Sequence, residues 1–154
     1  MALADQLAEI CASVLKVADR DTVLEAAAGL LACRQAGADE LRASLQAREK
    51  LGSTAIGHGI AIPHGRSASL DAPRGVLLRL EPAVDFAAGD GQYVDLVFAM
   101  AVPDHYTHQH LMLLSELAER FSDAHFRAAL RAAPDARSMR KLLLDEPHSP
   151  KAAA

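Results

Sequence analysis

The pattern of apolar and polar positions divides the chain into helices, strands and one loop-rich stretch. Over 22–35, Val23, Leu24, Ala27, Leu30 and Leu31 share one face of a 3.6-residue repeat, which predicts a helix that Asp19 or Asp21 can cap and Gly37 ends. Asp39 opens a second predicted helix over 40–49, with Leu41 and Leu45 one turn apart and Gly52 as its stop. Residues 3–17 read partly as a short helix and partly, at Val14-Leu15-Lys16-Val17, as a strand, so the pattern leaves that segment open. Residues 52–75 hold five of the nine glycines and two of the seven prolines around a brief strand signal at Ile60-Ala61-Ile62, and loops are expected there. Strands are predicted over 76–80 and 94–100, the second apolar enough on both faces to be central and covered by helices. Leu111, Leu114, Leu117, Ala118 and Phe121 mark a helix over 108–121, and shorter helices fit 123–133 and 135–144. The tail, 147–154, is expected to fray. With no repeat or linker, the alternation implies an α/β fold: a mixed β-sheet covered by helices on both faces. It is expected to form a single domain over 1–154, with its core over about 21–144.

Composition sharpens this picture. The 51% hydrophobic content includes 32 alanines while aromatics make up only 4%, a balance that favours Ala/Leu-rich helices over an all-β sandwich. Sixteen basic against twenty acidic side chains leave a net charge of −4, without the basic excess of a nucleic-acid binder. Cys11 and Cys33 form no CxxC pair and are too few for a disulfide framework, so they are expected as buried thiols in a reducing compartment. The N-terminus has no basic region leading into an apolar segment. No apolar run reaches the roughly 18 residues of a membrane span, and a cytoplasmic protein without membrane insertion is expected.

Seven histidines are present, five of them as His58 and His64 and then His105, His108 and His110. In Ile60-Ala61-Ile62-Pro63-His64-Gly65 a strand is stopped by proline and delivers His64 into a glycine loop, with no side chain at Gly65 to block a group approaching the imidazole. A structural histidine bonded to a loop carbonyl fits the same local pattern. A neutral imidazole serves as nucleophile, base or ligand, and all three chemistries stay open at this point. Metal binding has the least support: of His105, His108 and His110, only the first two have helical spacing, and no HExxH follows. Gly57-His58-Gly59 is too short for a dinucleotide fingerprint, and there is no P-loop.

The run Arg48-Glu49-Lys50-Leu51-Gly52-Ser53-Thr54-Ala55-Ile56-Gly57-His58-Gly59-Ile60-Ala61-Ile62-Pro63-His64-Gly65 resembles the signature of enzyme IIA proteins of the bacterial phosphoenolpyruvate-dependent phosphotransferase system, of the fructose/mannitol and nitrogen-related class. The resemblance continues more weakly through 94–121, where His110-Leu111 stands as the family's second histidine does. It implies that His64 is phosphorylated by an HPr-like phosphocarrier protein, with His110 and Arg48 holding the phosphoryl oxygens and no metal or other cofactor required. Ser53 and Thr54 can add hydroxyl donors to a phosphate loop that includes Gly65, or serve only as turn residues. Arg66, where the family usually keeps a cation, either contacts a partner or faces solvent, and His58, His105 and His108 are read as solvated. The family usually has Gly where this chain has Ala55, which leaves the proposed chemical groups intact.

The chain carries neither a cysteine-bearing IIB domain nor a membrane IIC domain, which points to the nitrogen-related branch. That branch, on the resemblance, regulates target proteins of transporter or sensor-kinase type through its phosphorylation state. The alternative is a separately encoded sugar component that passes phosphate to a IIB protein. His110 is further expected to change protonation near neutrality and so to shape the pH dependence of transfer.

Overall fold

The apolar run expected to be central is so: from Val94 to Pro103 every residue except Asp95 is buried. The structure, a computed structural model, describes Leu7 and residues 9–145; the expected frayed tail and the start of the 3–17 segment lie outside the described residues. In chain order the elements are β1 (Glu9–Leu15), α1 (Arg20–Leu31), α2 (Ala38–Lys50), β2 (Ala55–Gly57), β3 (Ile60–Ala61), β4 (His64–Ser67), β5 (Arg74–Val84), β6 (Val94–Pro103), α3 (His108–Phe121), α4 (Ala124–Ala132) and α5 (Ala136–Leu144). The strand order is β1-β5-β6-β3-β2, and β4 joins by pairing with β6. Pairing is parallel for β1 with β5 and for β3 and β4 with β6, and antiparallel for β5 with β6 and β2 with β3, so the sheet is mixed as expected.

Side chains alternate across a strand, and β6 divides its own between two apolar layers. Val97, Ala99 and Ala101 pack with Val23, Leu24, Ala27 and Leu31 of α1 and Leu41 and Leu45 of α2. Leu96, Phe98, Met100 and Val102 pack with Leu113, Leu117 and Phe121 of α3, Leu130 of α4, and Met139 and Leu143 of α5. Each large side chain so buried contributes about 1.5–3 kcal/mol, so both helical layers are held firmly against the strand that supports the site.

Several boundaries differ from the sequence reading. The cap of α1 is as expected, Asp19 of the two candidates, its Oδ1 accepting Thr22 N–H at 2.8 Å and Thr22 Oγ1–H at 2.7 Å. The helix stops at Leu31, well before Gly37. The apolar stripe ends there, and Arg74 Nε donates to Leu31 O at 2.7 Å, satisfying a terminal carbonyl. Gly37 instead precedes α2 as its N-cap, and Asp39 and Glu40 place negative charge in the first turn. The open N-terminal segment is strand over Glu9–Leu15, and β2 and β4 replace expected loop. Cys11 and Cys33 are half-buried thiols against the α1–α2 layer rather than fully buried ones.

Candidate functional site

His64 is the first residue of β4, so the expected glycine loop is not what carries it. The chain pairs with β6 at Ile60 and Ala61, breaks at Ile62-Pro63, and resumes at once with His64 opposite Met100. Proline cannot donate to a ladder, and it marks this gap. Pro63 O nonetheless accepts Met100 N–H at 3.0 Å, which keeps the two short strands on one edge of β6.

The imidazole is held in one tautomer. His64 Nδ1 lies 2.8 Å from Ile62 O, and since a carbonyl only accepts, Nδ1 carries the proton and Nε2 the lone pair. Arg48 Nε–H points at that lone pair from 3.2 Å, and Arg48 NH1 donates to Gly52 O at 2.8 Å. Partial burial pushes the His64 pKa down first of all, with the positive charges of Arg48 and Arg66 adding to the effect; the Ile62 bond and Glu49 oppose it. The ring is therefore neutral and nucleophilic at neutral pH.

His110, in the first turn of α3, meets this ring edge to face with centroids 5.0 Å apart. It is 5% exposed, and its buried Nδ1 has no hydrogen-bond partner. An orphaned N–H is the rarer kind of unsatisfied group in protein interiors, which places the proton on Nε2 as a donor. Desolvation, followed by the charges of His64 and Arg66, lowers its pKa to about 4. The expectation that His110 titrates near neutrality is thus corrected: burial keeps it uncharged there.

The remaining candidates are engaged within the protein. Ser53 Oγ donates to Phe86 O at 2.5 Å and accepts Ala55 N–H at 3.1 Å. Thr54 is buried, with both its N–H and its hydroxyl on Glu49. Gly65 lies under α2, where a Cβ would stand 2.7 Å from Ser44 Oγ and 3.0 Å from Ser44 Cβ, so close packing accounts for the glycine. Arg66 NH1 donates to Asp104 O at 3.1 Å and to Tyr106 O, tying β4 to the loop before α3. His58, His105 and His108 are exposed. Sequence reasoning assigned no role to Glu49, although it stands inside the quoted run; nothing in its spacing distinguishes it from a surface acid. Among the described residues, no group of three or more His, Cys, Asp or Glu could hold a metal ion, and no helix is long and apolar enough to cross a membrane.

An arginine and two histidines thus converge from α2, β4 and α3. Residues 8–146 match the family described as "Phosphoenolpyruvate-dependent sugar phosphotransferase system, EIIA 2". The chain belongs to this EIIA 2 family. Domains of the family take part in phosphotransfer through a phosphohistidine and pair with phosphocarrier and EIIB proteins. A nitrogen regulatory protein of Pseudomonas aeruginosa is 42% identical over 125 residues, covering 80% of this chain and 81% of that one. The nitrogen regulatory protein of Escherichia coli K12 is 44% identical over 105 residues, 67% of this chain and 64% of that one. Among solved structures, nitrogen regulatory protein IIA-Ntr from Neisseria meningitidis superposes with a TM-score of 0.81 at 37% identity, covering 87% of this chain and 92% of that one.

Proposed function

We propose that this EIIA 2 domain accepts a phosphoryl group on His64 Nε2 from the phosphohistidine of an HPr-like carrier, and that the modified and unmodified forms regulate different partner proteins. The observation that carries the reading is the Nδ1–H bond to Ile62 O, which leaves the Nε2 lone pair facing Arg48. In transfer, that pair forms the new P–N bond while the donor's P–N bond breaks and its nitrogen keeps the electrons. The proton stays on Nδ1, hydrogen-bonded to Ile62 O, so positive charge on the ring offsets part of the incoming negative charge. Arg48, anchored through NH1 on Gly52 O, turns its Nε–H from the lone pair to a phosphoryl oxygen. His110 donates from Nε2 to another. Positioning and charge stabilisation of this kind are the main contributions a protein makes to phosphoryl transfer.

The nitrogen-related branch is supported by the names of the relatives. On this reading the protein acts in the cytoplasm on targets of transporter or sensor-kinase type. The family description also covers sugar components, so delivery to a sugar-specific IIB protein is the second reading. Phosphoenolpyruvate, enzyme I and a carrier protein should place one acid-labile phosphoryl group on His64. His64→Ala should take up none while keeping the parent's circular dichroism spectrum. Peptide mapping to His58, His105 or His108 would remove His64 from the role.

A further inference from the structure

Glu49 follows Arg48 in the last turn of α2, yet its side chain turns inward and is only 3% exposed. A carboxylate so deeply placed needs hydrogen bonds and a countercharge to offset lost hydration. Oε2 accepts Thr54 N–H at 2.9 Å, Oε1 accepts Thr54 Oγ1–H at 2.7 Å, and Arg20 NH1 stands 3.9 Å from Oε2. Both donors of one buried residue are thereby gripped by one side chain.

From Thr54 the bonding reaches the imidazole in two further steps. Ile62 N–H donates to Thr54 O at 3.0 Å, and Ile62 O accepts Nδ1–H of His64 at 2.8 Å. The same glutamate also serves the opposite side of the site: its backbone O accepts Gly52 N–H at 3.2 Å, and Gly52 O receives Arg48 NH1 at 2.8 Å. The ring and the guanidinium that faces it are both braced from one position.

We infer that Glu49 is a positioning residue whose carboxylate, by gripping Thr54, sets the Nδ1–H tautomer of His64 and so keeps the Nε2 lone pair turned toward Arg48. The inference rests on His64 as the phosphoryl acceptor. Its charge points the same way. Of the charged or titratable groups around the ring, Arg48 of α2 and Arg66 of β4 disfavour a protonated His64, His110 of α3 stands neutral beside it, and Glu49 alone among these favours protonation. Removing the charge while keeping the shape therefore moves the His64 midpoint further down.

The test reads imidazole 15N shifts of His64 across pH, together with phosphoryl uptake from the carrier, in the parent, Glu49→Gln, Thr54→Val and Thr54→Ser. Glu49→Gln and Thr54→Val should each shift the tautomer away from Nδ1–H and slow uptake at least about tenfold, as misplaced reacting groups do. Glu49→Gln should also lower the His64 midpoint, and Thr54→Ser, which keeps both donors, should behave as the parent. Parent-like 15N shifts in either folded variant overturn the inference, as does a shifted tautomer with parent-like uptake. Should Glu49→Gln fail to fold, Thr54→Val decides alone. Mapping of the phosphoryl group to another residue in the parent would defeat the acceptor reading instead, and the 15N shifts would still report whether Glu49 sets the ring.

Discussion

His64 and His110 meet with their ring planes at 78° and their centroids 5.0 Å apart, each from a different layer of the fold. Burial is the first cause that keeps both rings neutral, and the contact adds to it at His110, because two cations at this distance repel.

Acid should therefore weaken the fold through His110. Its pKa is lowered in the folded state, so below the unfolded value near 6.5 the unfolded chain binds the proton more readily, and stability falls with pH down to about 4. The loss by pH 4.5 should be on the order of 2 kcal/mol. Urea unfolding of the parent at pH 7 and 4.5 measures it, and His110→Gln should lose distinctly less between the same two points.

Arg48→Lys should slow phosphoryl uptake about 10- to 100-fold, since a point charge cannot donate to Gly52 O and toward Nε2 in one fixed geometry. Arg48→Gln should do the same and should also move the acid limb of the rate profile upward. The reason is that Arg48 helps hold the His64 pKa down, and a protonated Nε2 cannot attack. Single-turnover rates from pH 5 to 8 with saturating carrier resolve both effects; an acid limb that stays in place would exclude Arg48 from tuning the ring.

Gly65→Ala should cost about 1–3 kcal/mol, because the new methyl meets Ser44 Oγ at 2.7 Å and Leu45 N at 3.3 Å, forcing β4 and α2 apart. Denaturant midpoints report the loss. Uptake should fall as well, since Arg66 N–H donates to Ser44 Oγ at 2.8 Å on the same contact.

Arg66→Gln should free the loop before α3, giving faster amide exchange at Asp104 and Tyr106, and should raise the midpoints of both His64 and His110. Unchanged exchange with altered midpoints would leave Arg66 an electrostatic role alone.

For the regulatory reading, a partner should separate phosphorylated from unmodified protein by on the order of 1–3 kcal/mol. Pull-downs with the parent and with His64→Ala, each with and without phosphoenolpyruvate, measure this. Identical partners in all four arms, or a sugar-specific IIB protein as the sole phosphate-dependent contact, would favour the transport reading.

The helices and the central strand were legible because their apolar positions keep a clear period, as Val23, Leu24, Ala27 and Leu31 do, or are apolar throughout, as in β6. The short strands were not. Ala55–Gly57 and His64–Ser67 owe their structure to pairing partners far along the chain, and glycine, proline and histidine give no strand signal of their own. His64 stood out from its strand-Pro-His-Gly context, and Arg48 and His110 from the resemblance to a family signature, whereas the convergence of the three depends on separate elements. Glu49 was missed because its inward turn is a matter of tertiary packing, which no local spacing encodes.

The pairing of His64 with Met100 at the start of β4 bears on how a phosphoryl signal can be read. His64 is paired directly to β6, a strand buried at every position but Asp95. On the proposed reading, a phosphoryl group at Nε2 turns the Arg48 side chain while β4 stays paired, so the two forms should share one backbone and differ in surface potential. Information written here is local ink rather than a lever: a reader must lay its own surface over the imidazole to see it, and salt should blur the message more than temperature does.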